Sequence, residues 1–458
     1  MRVTDMNEGQ RPCKPLNDYY LFTLAPTLKR LLLLDPYMAF RDHLQKAEHI
    51  TSVDPIGGMK EVALERRGKT LVFDEVEGAP GHRAAMNVCI RRNLATNFDI
   101  AESEVIDILG WAMGNGSIPI SAVGPAPVFE NSIEPADLHQ LPIPHHWRED
   151  RGRYMSASII IAEWGGNRNV SYHRQFIRDS NHVVARLVPR HLRTMVDEAR
   201  AAGQTISIGI VNGADPSVLL AAAMSFNEPI DELSVAAALH ERLYGKPLEL
   251  VKLSNGIEVP ADAEYAMAAT ITLEDDDEGP YVDITGTVDD VRQEPLIEVH
   301  SIHHRNNPVF HAILPAGSEH RALMGLPRAP TIKAAVSKVC KCTDVVMTEG
   351  GSGWLSAVVQ IEIETADDAK AAIMAAFAGH PSMKAVTVVD TDIDPADPIR
   401  VEWALMTRWQ PDKDTVILTN QRGSSLDPTR TDDGLTSKIG YDATIPFGSD
   451  KAPFTSVT

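Results

Sequence analysis

The sequence predicts a mixed α/β (α+β) fold, with a strand-rich, barrel-like middle flanked by α/β segments. Three observations carry that expectation. The chain has 458 residues, enough for two or three domains. Its middle, from about Tyr154, is rich in β-branched residues alternating with polar ones. From about Val309 onward, strand and helix patterns alternate.

Residues 40–47 suggest a helix, and 70–73 a short strand closed by the acidic turn 74–78. Residues 101–111 read as a helix. The stretch 118–146 carries Pro119, Pro125, Pro127, Pro135, Pro142 and Pro144 and is expected to be a linker, since proline restricts the backbone and removes donors. Strands are expected at 156–162 and 183–188. A helix over 191–202 stops at Gly203, a residue suited to a C-terminal cap. A strand follows at 206–211, and Asp215-Pro216 opens a helix with a cap and a first-turn proline. Residues 231–243 form another helix. Strands are expected at 248–252 and 268–273, the latter followed by the acidic run 274–278. Beyond Val309 the alternation runs through 358–363, 367–377, 385–389, 401–407 and 415–418.

Composition narrows the function classes. A net charge of −20 argues against a general nucleic-acid binder, which needs clustered Lys and Arg. An anionic substrate must then meet a local basic patch within an acidic shell. No apolar run approaches the roughly 18–20 residues of a membrane span, and residues 31–34 are bounded by Arg30 and Asp35. The N-terminus reads as lacking a secretory signal, so a cytoplasmic protein is expected. The four cysteines, Cys13, Cys89, Cys340 and Cys342, form no disulfide framework and are read as structural thiols.

Three stretches concentrate polar residues at expected strand ends: Asn169 to Arg174, Glu249 to Lys252, and Glu278 to Asp283 around a Gly-Pro turn. An arginine with two carboxylates is ordinarily a structural ion pair. Oxygen ligands from Asn169 and Glu249 with a nitrogen from His191 suit a hard divalent ion. Spacing alone does not bring these residues together.

The segments NVSYHR (169–174), PLELVKLSNGIEVPADAE (247–264), EGPYVD (278–283), VVDTDID (388–394), TSKIGYDAT (436–444) and LVFDEVEG (71–78) resemble, in order along the chain, the motifs of the UbiD family of decarboxylases. The resemblance implies an N-terminal extension (1–38), an N-terminal α/β domain (39–115), a split β-barrel domain that binds prenylated FMN (116–308), and a C-terminal α/β oligomerisation domain (309–458). It implies that Asn169, His191 and Glu249 hold Mn2+ or Mg2+ at the flavin phosphate, with K+ as a further ion. Arg174, Glu278 and Asp283 would form the catalytic network, Asp283 donating the proton. Arg174 and Lys384 would also contact the cofactor, Lys384 through its phosphate. Asp283 stands where some relatives carry Glu, which shortens the proton donor by one methylene; Tyr281 and Val282 stand where many carry Phe and Gly, and these two changes imply a pocket shaped for a different substrate.

The segments 304–325, 338–351, 420–428 and 442–446 resemble the archaeal branch of that family. This implies non-oxidative decarboxylation of an α,β-unsaturated acid with a phosphate tail, trans-anhydromevalonate 5-phosphate, to isopentenyl phosphate and CO2 in the mevalonate pathway. His320, Arg321 and Lys338 are the candidates for holding the phosphate. The resemblance further implies a flavin prenyltransferase as cofactor supplier and a homo-oligomer, with neither nucleic acid nor membrane as partner. Two alternatives stay open: an aromatic or heteroaromatic acid decarboxylase of the same family, and a non-catalytic flavin-binding protein.

Overall fold

In the central sheet every neighbouring pair of strands is antiparallel, an arrangement that lets one face pack on a core while the other meets helices or solvent. The path runs Tyr154–Met155, Gln175–Ile177, His182–Ala185, Arg292–His304, Tyr265–Glu278, Ile206–Asn212, Ile159–Trp164, Asn167–Tyr172, with Asn131–Ile133 added beside Arg292–His304 to make nine strands. The computed structural model describes residues 39–122, 124–226 and 228–457. The expected extension 1–38, with Cys13 and residues 31–34, lies outside the described residues.

Alternation fixes which side chains face inward. Ile160 and Ala162, Ile208 and Ile210, and Met267, Ala269 and Ile271 share one buried cluster, joined by Leu192, Val196 and Ala199 of the helix His191–Ala201. Each fully buried aliphatic side chain contributes roughly 1.5–3 kcal/mol, so a one-residue slip in register would turn this whole set outward.

The acidic run does not end its strand. Tyr265–Glu278 continues through it, with a register irregularity between Ile271 and Asp275. The carboxylates stand in a row of arginine partners: Asp275 with Arg200 (2.8 Å), Asp276 with Arg178 (2.5 Å), Asp277 with Arg151 (3.5 Å) and Glu278 with Arg174 (2.8 Å). Acids on a strand are tolerated here because basic residues neutralise them from outside the strand.

The proline-containing stretch is less a linker than an edge of the middle domain. Ile120–Ser121 pairs in parallel with Glu249–Lys252, and Asn131–Ile133 joins the central sheet. Residues 40–44 form a short 3-10 turn rather than an α-helix. Four strands, Glu48–Ile50, Leu71–Phe73, Arg83–Met86 and Val309–His311, make an N-terminal sheet, so the chain returns to this layer at 309 before entering its last third. That last third is a five-stranded sheet ordered Lys341–Met347, Ser356–Glu362, Ala385–Asp390, Leu435–Asp442, Thr415–Arg422. The helices Ala329–Val336 and Asp368–Gly379 pack against it through a core of Ile332, Val336, Ala372, Ile373 and Ala376 with Val359, Ile361 and Val386.

The elements that position the site are labelled β1 (Asn167–Tyr172), α1 (His191–Ala201), α2 (Glu232–Tyr244), β2 (Tyr265–Glu278), α3 (Ser318–Gly325) and α4 (Ala329–Val336). The N-terminus of α2 is fixed by Asp231, whose carboxylate accepts from the Leu233 amide at 3.0 Å. The helix ends at Gly245 in the left-handed conformation, φ +68°. Both α1 and α2 pack against β1.

Candidate active site

Arg174 lies in the turn between β1 and the strand Gln175–Ile177, its main chain held by a hydrogen bond from the Arg186 amide at 3.1 Å. Its guanidinium grips Glu278, the last residue of β2, in a bidentate fork: Nε and Nη2 each donate at 2.8 Å. Nη2 also donates to Asp289 at 2.9 Å, and Nη1 lies 3.6 Å from Asp283 Oδ2. The aromatic face of Tyr281 sits beneath the guanidinium, 4.5 Å from its centre, and Tyr154 flanks Tyr281 at 4.6 Å. The sequence brings Tyr281 into this position through a tight turn: Gly279 adopts φ +90°, and a Cβ there would lie 2.8 Å from the Asp290 carbonyl oxygen.

Burial makes this network electrostatically stiff. Arg174 would lose affinity for its proton on burial alone, but Glu278 more than reverses that and raises its pKa above the ordinary value. Asp289 is pushed up by burial, yet hydrogen bonds from Arg292 and Arg174 outweigh it and hold the carboxyl at about 2. The two acids at Arg174 differ in access. Glu278 has a fully buried side chain (0% exposed) with both oxygens engaged, whereas the side chain of Asp283 is 28% exposed. The Oδ1 of Asp283 accepts from the Ile284 amide at 2.6 Å, and its Oδ2 has only the longer approach to Arg174.

A second cluster forms where α1 and α2 meet β1. Asn169 Nδ2 donates to Glu232 Oε1 at 3.2 Å, and the Val170 amide donates to Glu232 Oε2 at 2.7 Å. Glu232 is only 3% exposed and no cationic side chain among the described residues pairs with it. Burial pushes its pKa up to about 7. His191 opens α1 and Glu232 opens α2, and the His191 ring has no hydrogen-bond partner among the described residues. A buried carboxylate without a counter-charge beside a carboxamide is a pair of donors that suits a hard divalent cation. Among the described residues no three His, Cys, Asp or Glu side chains gather into a metal cluster.

This corrects one sequence-based expectation. Glu249 is not the carboxylate at Asn169. It stands opposite Ile120 in a separate three-stranded sheet and makes no hydrogen bond to Asn169. Glu232 takes that position, and sequence reasoning missed it because an acid in the first turn of a helix is ordinary. The one available signal was the pair Asp231-Glu232, in which the cap already supplies the acid that a helix N-terminus needs.

The expected phosphate contacts do not converge either. Arg321 is drawn toward Glu349 at 3.9 Å, and Lys338 is exposed beyond the far end of α4. His320, on α3, instead faces Asp283 and Arg174: burial lowers its pKa, Asp283 opposes that, and Arg174 and Arg321 add to it. Its Nδ1 accepts from the Ala316 amide at 3.2 Å. Lys384 donates to Asp427 at 2.9 Å within the C-terminal region and makes no contact with the Asn169 cluster. Cys89, Cys340 and Cys342 are free thiols; burial raises the last two to about 11 and about 12, which fits structural rather than reactive groups.

The chain matches two family models, the 3-octaprenyl-4-hydroxybenzoate carboxy-lyase Rift-related domain over residues 121–318 and the C-terminal domain of the same carboxy-lyase over 321–443. It is 42% identical over 395 residues to an anhydromevalonate phosphate decarboxylase of Methanosarcina mazei, covering 86% of this chain and 91% of the relative. Its fold is similar to that of the UbiD-class enzyme HmfF from Pelotomaculum thermopropionicum in complex with FMN (TM-score 0.86, 33% identity, 92% of this chain and 97% of that one). An evolved dimeric form of HmfF in complex with prFMN gives a TM-score of 0.82 at 32% identity, over 90% and 96% of the two chains. Among the described residues no helix is long and apolar enough to cross a membrane.

Proposed function

The chain belongs to the UbiD family of carboxy-lyases, and from that premise we propose that it decarboxylates trans-anhydromevalonate 5-phosphate to isopentenyl phosphate and CO2 with prenylated FMN as cofactor. The observation that carries this reading is the Arg174–Glu278–Asp283 arrangement in a chain 42% identical to an anhydromevalonate phosphate decarboxylase. Prenylated FMN, when bound, supplies the electron sink that loss of CO2 from a vinylic carbon otherwise lacks.

The chain's own residues do the rest. Asn169, Glu232 and His191 are the groups that would hold a divalent ion, Mn2+ or Mg2+, at the cofactor phosphate. Arg174 binds the substrate carboxylate through Nη1, the one nitrogen of its outer edge that no carboxylate holds within 3.5 Å. Glu278, saturated by Arg174 and sealed from water, orients the guanidinium and does not donate a proton. Asp283, with a free and partly exposed oxygen, delivers the proton to the carbon that CO2 leaves, and draws the next from solvent. Tyr281 and Tyr154 wall the guanidinium off on one side and keep that exchange local. A flavin prenyltransferase would supply the cofactor, and self-association through the C-terminal region is expected.

The test is direct. Protein co-expressed with a flavin prenyltransferase and given trans-anhydromevalonate 5-phosphate is expected to release CO2 and isopentenyl phosphate in equal amounts. Turnover of 3,4-dihydroxybenzoate or gallate with none of the phosphorylated acid would overturn the substrate and leave the family standing.

A further inference from the structure

The turn that leads to Asp283 is tethered by a stretch of chain more than a hundred residues away, 150–154. The Gly279 amide donates to the Tyr154 hydroxyl at 3.2 Å, and the Gly279 carbonyl accepts from Arg151 Nη1 at 3.4 Å. The Arg151 amide donates to the Pro280 carbonyl at 2.8 Å. The Val282 amide donates to Asp150 Oδ1 at 2.8 Å. Only this last tether lies beyond Tyr281, one residue from Asp283. On the other side, Tyr281–Val282 pairs with Val288–Asp289, and the Asp283 amide donates to the Thr287 carbonyl at 2.9 Å. Those bonds hold the hairpin 281–289 together within itself. Asp150 ties its Asp283 end to the rest of the domain, as Arg174 does at Asp289.

Asp150 is itself immobilised. Its amide donates to the Trp147 carbonyl at 3.0 Å, its Oδ2 accepts from the Trp147 amide at 3.2 Å, and its carbonyl accepts from His145 Nε2 at 3.1 Å. The Trp147 indole N–H is pinned in turn to the Pro315 carbonyl at 3.2 Å. The residue is 6% exposed, and a buried carboxyl is costly unless its oxygens are engaged. Here two main-chain N–H groups, of Val282 and Trp147, point at one side chain. A carboxylate offers an acceptor to each, whereas an amide of the same shape has a single acceptor oxygen. The Asp283 carboxyl, by contrast, has only the Ile284 amide and the long approach to Arg174, so its aim is set by the main chain that carries it. A proton donor works within roughly 2.6–3.2 Å of its target, and a misplacement of about 1 Å costs about 10²-fold. We propose that Asp150 is a positioning residue for proton delivery, its hydrogen bond to the Val282 amide setting where the Asp283 carboxyl points. This rests on the proposed function for the role of Asp283 but not for the tether.

The experiment compares wild-type holoenzyme with Asp150→Ala and Asp150→Asn. Flavin content is read by absorbance. The kinetics, with the solvent deuterium isotope effect on kcat, are read on trans-anhydromevalonate 5-phosphate. Amide hydrogen exchange over 279–289 is read by mass spectrometry without substrate. Asp150→Ala is expected to keep flavin content and KM near wild type, because Arg174 and Glu278 keep their bonds to one another. It should lower kcat by about 10²-fold, enlarge the isotope effect as proton delivery becomes the slow step, and speed exchange over 279–289. Asp150→Asn, which keeps one acceptor for the Val282 amide, should recover part of the kcat. An unchanged kcat and isotope effect in Asp150→Ala would overturn the proposal. So would a fall in kcat that tracks lost flavin and leaves the isotope effect at the wild-type value, the mark of a merely structural residue. Should Asp150→Ala fail to fold, Asp150→Asn decides: a lowered kcat with an enlarged isotope effect upholds the proposal, and wild-type values refute it. If the wild type does not turn over the phosphorylated acid, the functional reading fails separately. Faster exchange over 279–289 in the variants would then still uphold the tether, and unchanged exchange would refute it.

Discussion

Around Arg174 every charge is answered: Glu278, Asp283 and Asp289 surround one guanidinium, and Arg292 steadies Asp289 at 2.6 Å. Where α1 and α2 meet β1 a charge stands alone: among the described residues Glu232 is a buried carboxylate without a cation. The first region is a finished electrostatic device whose geometry the fold sets before any ligand arrives, as chemistry on a developing charge requires. The second is half of an ion pair, and the missing half is the natural place for a divalent ion. A compensated network therefore points to the groups that act, and an uncompensated one to the groups that hold.

The largest effect is expected from breaking the compensated region at its one accessible acid. Asp283→Asn should lower turnover by about 10²–10⁴-fold while the flavin stays bound. Activity near wild type, measured as CO2 release, would remove Asp283 from the proton transfer.

The uncompensated region is sharpened by two carboxylates that look alike in sequence. Glu232→Gln should weaken Mn2+ binding by more than the roughly 10–100-fold seen when groups behind a metal ligand are changed. It should also raise the melting temperature of the metal-free protein, because a neutral amide replaces a buried, unpaired charge. Glu249→Gln should do neither. Calorimetric Mn2+ titrations and thermal melts of both variants decide between them.

The smallest effect concerns pH. Asp289 has an ordinary pKa of 3.8 and is held at about 2 by Arg292 and Arg174 against the opposing push of burial. A carboxyl with a lowered pKa in the folded state stabilises fully above about pH 4 and loses that contribution as pH falls through about 2, on the order of 1–2 kcal/mol for this partly exposed group. Asp289→Asn should flatten the acid limb of a denaturation curve over that window. An unchanged limb would mean that the ion pair is no tighter in the folded chain.

The comparison also explains what could be read from sequence. Long strands and capped helices were legible: 206–211, 231–243 and the Asp215-Pro216 helix start appear within a residue or two, because alternation, caps and glycine stops act locally. Arg174, Glu278 and Asp283 were found through motif resemblance, and their meeting depends on β2 running on through the acidic run. The acidic run itself misled, since the arginines that neutralise it come from distant segments. Glu232 was illegible for the same reason. An isolated acid in a first helical turn carries no mark of having no partner, because partnership is a property of the folded chain.

The measurement closest to the central claim is flavin content in two variants purified side by side from cells that also express a flavin prenyltransferase. Asp283→Asn is expected to emerge loaded with prenylated flavin and inactive, and Glu232→Gln to emerge empty. A Glu232→Gln protein as fully loaded as the wild type, or an Asp283→Asn protein stripped of flavin, would contradict the division between groups that hold and groups that act.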